Sequence, residues 1–255
     1  MNHFIIWKDI RLFYGSHERS VVQHSHPIIQ FVIAVEDTFL SKDQNNKWVE
    51  KKGLLIAPNY AHECDANGVE ILSLEIDPES NLGEWIIDKQ LKNEQLIEYP
   101  SNHISSIDTQ KIVQCIMQGD WSKIRQIIET AFQFQSQNKS AKKEERIEEV
   151  VNFIKANIKQ EINTNQLTEV VHLSESRLLH LFKEVKGLPI RNYILWHRLQ
   201  IVLKEVLAGK TLTVAAHEAG FSDQAHLTRT FTKMIGIPPS LIAKNSKFIQ
   251  VSIAS

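Results

Sequence analysis

The strongest constraint on what this chain can fold into is an internal repeat in its C-terminal part. A shift of 49 residues superposes Thr164 on Thr213, Glu169 on Glu218, Leu178 on Leu227, Phe182 on Phe231, Gly187 on Gly236 and Pro189 on Pro238. Six matches at one offset, several at apolar anchors or helix stops, mark a duplicated unit. Each copy spells a short helix (residues 166–171, then 214–219), a tight turn and a second helix. Ser174 caps the second helix of the first copy, and Ser222 or Asp223 that of the other. Apolar residues then recur at helical spacing: Leu178, Leu181, Phe182 and Val185 in the first copy, Leu227, Phe231 and Met234 in the second. Gly187 and Gly236 supply left-handed stops, with prolines two residues later. In the second turn Gly220 permits positive φ and Phe221 plugs the angle between helices. Val171 falls where Gly220 does, so the first turn departs from the pattern.

A plain helical bundle would also carry such a repeat, for packing alone. Against it, the exposed sides of both second helices are rich in hydrogen-bonding groups suited to base edges and phosphates. Residues 191–207 read as one amphipathic helix, which would fix the spacing of the two copies so that a monomer reads neighbouring major-groove segments. Charge is distributed accordingly. Residues 1–140 hold 13 Lys+Arg against 19 Asp+Glu (13 − 19 = −6), and residues 141–255 hold 16 against 11 (16 − 11 = +5). The basic half suits an anionic polymer.

The string GFSDQAHLTRTFTKMIGIPPS resembles the signature of the AraC/XylS regulators, and LSESRLLHLFKEVKGLP is similar to their first unit. The resemblance runs over about residues 161–243 and implies two helix-turn-helix units on double-stranded DNA, in a bacterial-type transcription regulator. By position it implies a DNA-facing set of Ser176, Arg177, Leu179 and His180 in the first unit. In the second it implies Gln224, Ala225, Thr228 and Arg229. Thr232 stands where these regulators commonly carry lysine.

The first 80 or so residues read instead as short strands. The runs 28–35, 53–58 and 69–76 are rich in β-branched and aliphatic residues, and the polar stretch 41–47 reads as a hairpin loop. Strands at this spacing predict a barrel or sandwich. Residues two apart on a strand share a face, so His24 with His26, and His62 with Cys64, can each point inward. The pattern HSHPIIQF…LLIAPNYAHE…IDPES resembles the cupin-like β-barrels that open many AraC-type regulators. That resemblance implies a pocket lined by His24, His26, Gln30 and His62 for a small-molecule effector, with no cofactor. Two alternatives stay open: a divalent metal held by the histidines with Gln30 as third ligand, and a silent scaffold. His3, His17 and His103, without partners at a useful spacing, are expected at the surface. Trp7, Trp48 and Trp85 are expected in core or pocket packing.

From Ser106 the period turns helical, and Trp121, Ile124, Ile127, Ile128 and Ala131 fall on one face, widened by Phe132 and Phe134. So much apolar surface predicts a homodimer interface; the competing reading is that this helix covers the open edge of the barrel. Residues 133–143 are polar and read as the linker. Two cysteines are too few for a disulfide scaffold and suit reduced thiols. No apolar run approaches the roughly 20 residues that span a bilayer, and no secretory leader is apparent at the start.

The expected protein is therefore a cytoplasmic α+β multidomain regulator without enzymatic activity. Residues 1–138 form a cupin-like sensor and dimerisation barrel with trailing helices. Residues 139–255 form an all-α DNA-binding domain. RNA polymerase is a further expected partner, and a membrane is not. The runners-up are a regulator whose N-terminal half only dimerises and a cupin metalloenzyme fused to a DNA-binding domain.

Overall fold

The structure, a computed structural model, describes residues 2–16, 20–100, 104, 106–136, 144–245 and 249–254. Two compact units divide the chain: residues 1–137 with 247–255, and residues 138–246. His17, His103 and residues 137–143 of the expected linker lie outside the described residues.

The first unit begins with β1 (Asn2–Ile6), β2 (Ile10–Gly15), β3 (Val21–His24), β4 (Ile29–Ala34), β5 (Phe39–Lys42), β6 (Trp48–Lys51), β7 (Gly53–Ile56), β8 (His62–Asp65) and β9 (Ile71–Ile76). A short helix, α1 (Asn81–Trp85), continues as a π-type turn over Ile86–Leu91. Then come β10 (Leu96–Tyr99), α2 (Thr109–Gln118) and α3 (Trp121–Ala131), and the chain's last strand, β11 (Ile249–Ile253), returns to this unit. One sheet has seven strands in the order β10-β7-β4-β9-β2-β1-β11, the other four in the order β3-β8-β5-β6.

β4 carries apolar residues without alternation because both its faces are covered. Phe31 and Ile33 enter a core shared with Ile112 and Ile116 of α2 and Ile124 and Ile128 of α3. Val32 and Ala34 enter a second core with Leu54, Ile56 and Phe39, the last from the four-stranded sheet. The seven-stranded sheet is thus the middle layer, with helices on one side and the smaller sheet on the other. Asp43 closes the β5–β6 hairpin by accepting backbone N–H bonds from Asn45 (2.8 Å) and Lys47 (2.9 Å), the turn chemistry expected of that polar stretch.

The apolar side of α3 is spent inside its own unit. Ile124, Ile128 and Phe132 are fully buried, and the Phe132 ring meets Phe31 edge-on at 5.5 Å. Each such side chain contributes about 1.5–3 kcal/mol on burial. Trp85 Nε1 (3.0 Å) and Gln90 Nε2 (2.8 Å) both donate to the Phe132 carbonyl and cap the helix end. Arg125 grips Asp9 with two bonds, of 2.6 and 3.0 Å. Of the residues expected at a dimer interface, Ile124, Ile128, Ala131 and Phe132 are therefore core, and Trp121, Ile127 and Phe134 are half-buried against it, because the helix lies on the sheet, as in the competing reading.

Further differences follow from strand pairing. His3, expected at the surface, is buried and stacks on Tyr14, its register partner across β1 and β2. β11 pairs with β1 in parallel, so residues 249–253 leave the helical domain to which the sequence had assigned them. Trp7 is buried as expected, but Trp48 is 43% exposed because β6 is an edge strand. Cys64 and Cys115 are both free thiols.

The second unit is helical: α4 (Glu145–Ala156), α5 (Thr164–Val171), α6 (Glu175–Lys186), α7 (Ile190–Leu207), α8 (Leu212–Glu218), α9 (Gln224–Ile235) and α10 (Pro239–Asn245). Leu178, Leu181 and Phe182 of α6 pack with Ile147, Val150 and Ile154 of α4 and with Tyr193 and Ile194 of α7. Farther along α7, Leu199, Val202 and Val206 are buried where that helix packs on α8 and α9. Val185, read as an anchor, is 43% exposed near the end of α6. Among the described residues no helix is long and apolar enough to cross a membrane.

Candidate nucleic-acid interface and histidine cluster

The two helix pairs α5–α6 and α8–α9 are built alike, and their turns show how. Asn163 caps α5 with a full capping box, and Thr211 caps α8. His172 ends α5 in the left-handed conformation (φ 51°), and Gly220 takes the same role after α8 (φ 80°). Ser174 then caps α6 and Asp223 caps α9, while Gly187 and Gly236 close both in left-handed geometry. First helices and turns therefore correspond at an offset of 48, and second helices at 49, because the second turn is one residue longer. The matches Thr164 with Thr213 and Glu169 with Glu218 are coincidences of composition. The true partners are Leu167 with Ala215 and Val171 with Ala219, all buried. The first turn is thus no departure: its left-handed residue is His172, not Val171.

All eight residues expected to face DNA lie on α6 and α9. Ser176, Arg177, Leu179 and His180 are exposed, as are Gln224, Ala225 and Arg229, and Thr228 is half-buried. The opposite sides carry Leu178, Phe182, Leu227 and Phe231, each at most 2% exposed, so packing fixes both helices and leaves these residues outward. The Gln224 side-chain oxygen accepts from Thr213 (2.7 Å), which ties the start of α9 to α8. Thr228 donates to the Gln224 carbonyl (2.8 Å). His180 lies 3.6 Å from Glu184 on the same helix.

In the first unit, His24 and His62 are register partners across β3 and β8, and His26 follows β3 in the connection to β4. The three rings gather with centroids 4.2, 5.4 and 5.0 Å apart, all buried. One ligating nitrogen of each lies within 4.8 Å of the others. Backbone carbonyls orient two of the rings: His24 Nδ1 donates to Val22 (3.0 Å) and His62 Nδ1 to Tyr60 (2.9 Å). His26 Nε2 donates to Gln30 Oε1 (3.1 Å), and the Gln30 amide donates to Ser73 (3.0 Å). Burial pushes His24 and His26 down to about 4, and the His26 charge depresses His24 further. His62 is held well below its ordinary value by burial and then by the other two rings. At neutral pH all three are uncharged. His62 Nε2 is buried with no hydrogen-bond partner among the described residues, a state that costs about 1–3 kcal/mol.

Residues 167–245 match the family described as a helix-turn-helix domain. Over 103 residues the chain is 31% identical to the probable transcriptional regulator LumQ of Photobacterium leiognathi, covering 39% of this chain and 41% of that protein. Over 90 residues it is 30% identical to the HTH-type transcriptional regulator YobQ of Bacillus subtilis, covering 35% and 37%. The chain thus spans about two fifths of the length of the curated relatives it matches. Residues 167–245 thus carry a helix-turn-helix domain, and the relatives that share sequence with this chain are transcriptional regulators.

Solved structures extend the likeness to the N-terminal unit. ToxT from Vibrio cholerae superposes with a TM-score of 0.56 at 13% identity, covering 93% of this chain and 98% of that one. ToxT bound to (E)-4-(8-methylnaphthalen-1-yl)but-3-enoic acid gives 0.59 at 12%, covering 94% and 100%. At such identities the likeness is one of fold: a β-rich N-terminal unit followed by helices. The sequence brought His24, His26 and His62 together correctly, since two-residue spacing and a neighbouring strand are visible signals. It missed Ser73, which nothing but pairing of β4 with β9 carries to Gln30.

Proposed function

We infer that this chain is a sequence-specific DNA-binding transcription regulator of the AraC type that reads duplex DNA with α6 and α9. The observation carrying this reading is the duplicated helix pair whose second helices bury their apolar sides and expose Arg177, His180, Gln224 and Arg229. The helix between the pairs, α7, has 18 residues. At 1.5 Å per residue it spans roughly 27 Å, a rigid strut of the order of one turn of DNA, about 34 Å. α6 and α9 are the recognition helices of two helix-turn-helix units, each entering a major-groove segment. Ser176, Leu179, Ala225 and Thr228 complete the contact surface, the last two being chemically suited to thymine methyl and phosphate contacts.

The N-terminal unit, read as a cupin-like barrel, serves as the sensor for a small-molecule effector. ToxT, whose fold this chain shares, has been solved with an unsaturated fatty acid. RNA polymerase is the protein on which such a regulator acts. Pairing of two chains, where it occurs, uses a surface other than the buried side of α3.

Sequencing the DNA that the full chain selects from a random pool tests this reading. The wild type should enrich one site. Arg229→Ala should weaken binding by about 1–3 kcal/mol and relax one base position, as loss of a bidentate guanine contact does. No enrichment, or a variant with unchanged affinity and site, would overturn it.

A further inference from the structure

We propose that Thr213 is a positioning residue for DNA recognition: by holding the side-chain oxygen of Gln224, it makes Gln224 a hydrogen-bond donor to guanine rather than the bidentate partner of adenine. This deepens the reading of α9 as a recognition helix and rests on it.

The Thr213 hydroxyl proton has few places to go. A threonine inside a helix can turn its hydroxyl back on the carbonyl four residues earlier, as Thr130 does to Gln126 (2.7 Å) and Thr228 to Gln224 (2.8 Å). Thr213 is only the second residue of α8, and the residue four before it, Gly209, lies outside that helix at φ 91°. The proton goes instead to the Gln224 side chain, Oγ1 to Oε1 at 2.7 Å, an ordinary length for an O–H···O bond. Both ends of this bond stand on fixed elements. Ala215 and Ala216 bury one side of α8, and Leu227 and Phe231 bury one side of α9. Thr211 and Asp223 cap the two helices.

Gln224 is the first residue of α9, and the N-terminal residues of a recognition helix are those that meet base edges. Its amide has one acceptor oxygen and two N–H donors. The usual pairing of glutamine with adenine needs both ends, the oxygen accepting from N6 and the nitrogen donating to N7. An oxygen turned back to α8 is withdrawn from that pairing, and the Nε2 hydrogens remain for the base. Guanine offers such a donor two acceptors, O6 and N7; adenine and thymine offer one each, and cytosine offers only its N4 amine. In the free chain both residues are exposed and water competes for the bond. Docking on DNA removes that water, and turning the oxygen toward a base would then strand the Thr213 hydroxyl, which is what makes the bond selective.

The test is selection of DNA from a random pool by the full chain, read column by column for wild type, Gln224→Ala, Thr213→Val and Thr213→Ser. Wild type should favour guanine over cytosine by about 5–150-fold at one column, and that column should flatten in Gln224→Ala. Thr213→Val keeps the branched shape and removes the hydroxyl. It should move the ratio of guanine to adenine at the same column roughly 2–10-fold toward adenine, the worth of one hydrogen bond. Thr213→Ser, which keeps the hydroxyl, should keep guanine. A purely structural role for Thr213 would lower affinity for every site together and leave the base choice unchanged. Adenine at the Gln224 column of wild type, or a Thr213→Val site identical to that of wild type, overturns the assignment. The first of these outcomes needs no Thr213 variant, so the proposal stays falsifiable even where one fails to fold. A site with an Arg229-dependent column and no Gln224-dependent one overturns this inference and leaves the DNA-binding reading standing. No enriched site at all overturns both.

Discussion

Replacing Gly220 with alanine should destabilise the helical unit by about 3 kcal/mol. Gly220 sits at φ 80°, where an L side chain costs about 1–2 kcal/mol. A Cβ there would stand 2.8 Å from the Lys159 carbonyl oxygen and 3.1 Å from its carbon. That carbonyl cannot retreat freely. Arg198 holds its neighbours, donating to the Ile158 carbonyl at 3.0 Å and the Gln160 carbonyl at 2.6 Å. Overpacking of this kind adds about 1–3 kcal/mol, and the reduced freedom of the unfolded chain returns about 0.4–1 kcal/mol. For a unit of this size each kcal/mol lowers the melting temperature by roughly 4–8 °C. The matching position in the first turn predicts the opposite sign. His172 already carries a side chain at φ 51°, so His172→Gly should stabilise by about 0.5–1 kcal/mol. Thermal and urea unfolding of the full chain, followed by circular dichroism at a helical wavelength, measures both. A Gly220→Ala protein as stable as wild type, or a His172→Gly protein markedly weaker, would refute the equivalence of the two turns.

Truncating the matched core anchors, Phe182→Ala and Phe231→Ala, should each cost about 3–5 kcal/mol in the same unfolding assay; an unchanged midpoint for either would place that ring outside the core. In the first unit, Ile124→Ala should cost about 2–5 kcal/mol, and Ile124→Glu should yield unfolded or aggregated protein. Light scattering of Ile124→Glu that shows a well-folded monomer beside a wild-type dimer would return this face of α3 to an intersubunit role.

What could be read from the sequence depended on the range of the signal. Caps and stops are local, and Ser174, Gly187 and Gly236 were recognisable from their neighbours alone. The strand run of β4 was equally plain, because burial on both faces leaves an apolar string broken only by Gln30. The slip from 48 to 49 was hidden because chance identities at Thr164 and Glu169 outscored true but chemically dissimilar pairs such as Leu167 and Ala215. The destination of α3 was not readable for a different reason. Helical periodicity reports that a face is apolar, but the same stripe suits a sheet or a second chain. Asp9, far away in sequence, decides the matter by receiving Arg125 on the flank of that helix. β11 shows the limit of local signals: its partner β1 lies at the other end of the chain, and no spacing rule links them.

Gln30 illustrates the same limit within a single site. Its place four residues after His26 on a strand entrance made it a natural third ligand, and the spacing was right about proximity. Proximity did not determine which atoms meet. That depended on Ser73, which arrives through the β4–β9 ladder and takes the amide end of the glutamine, turning the oxygen toward His26. A glutamine held in this way orients the His26 ring and ties it to β9 through Ser73. His62 reaches the cluster by a different route, by pairing with His24 across β3 and β8. Gln30→Ala removes the partner of His26 Nε2 and the donor to Ser73 together, and should destabilise the first unit by about 1–3 kcal/mol in urea unfolding of the full chain; an unchanged midpoint would show that this buried pair of contacts holds nothing in place.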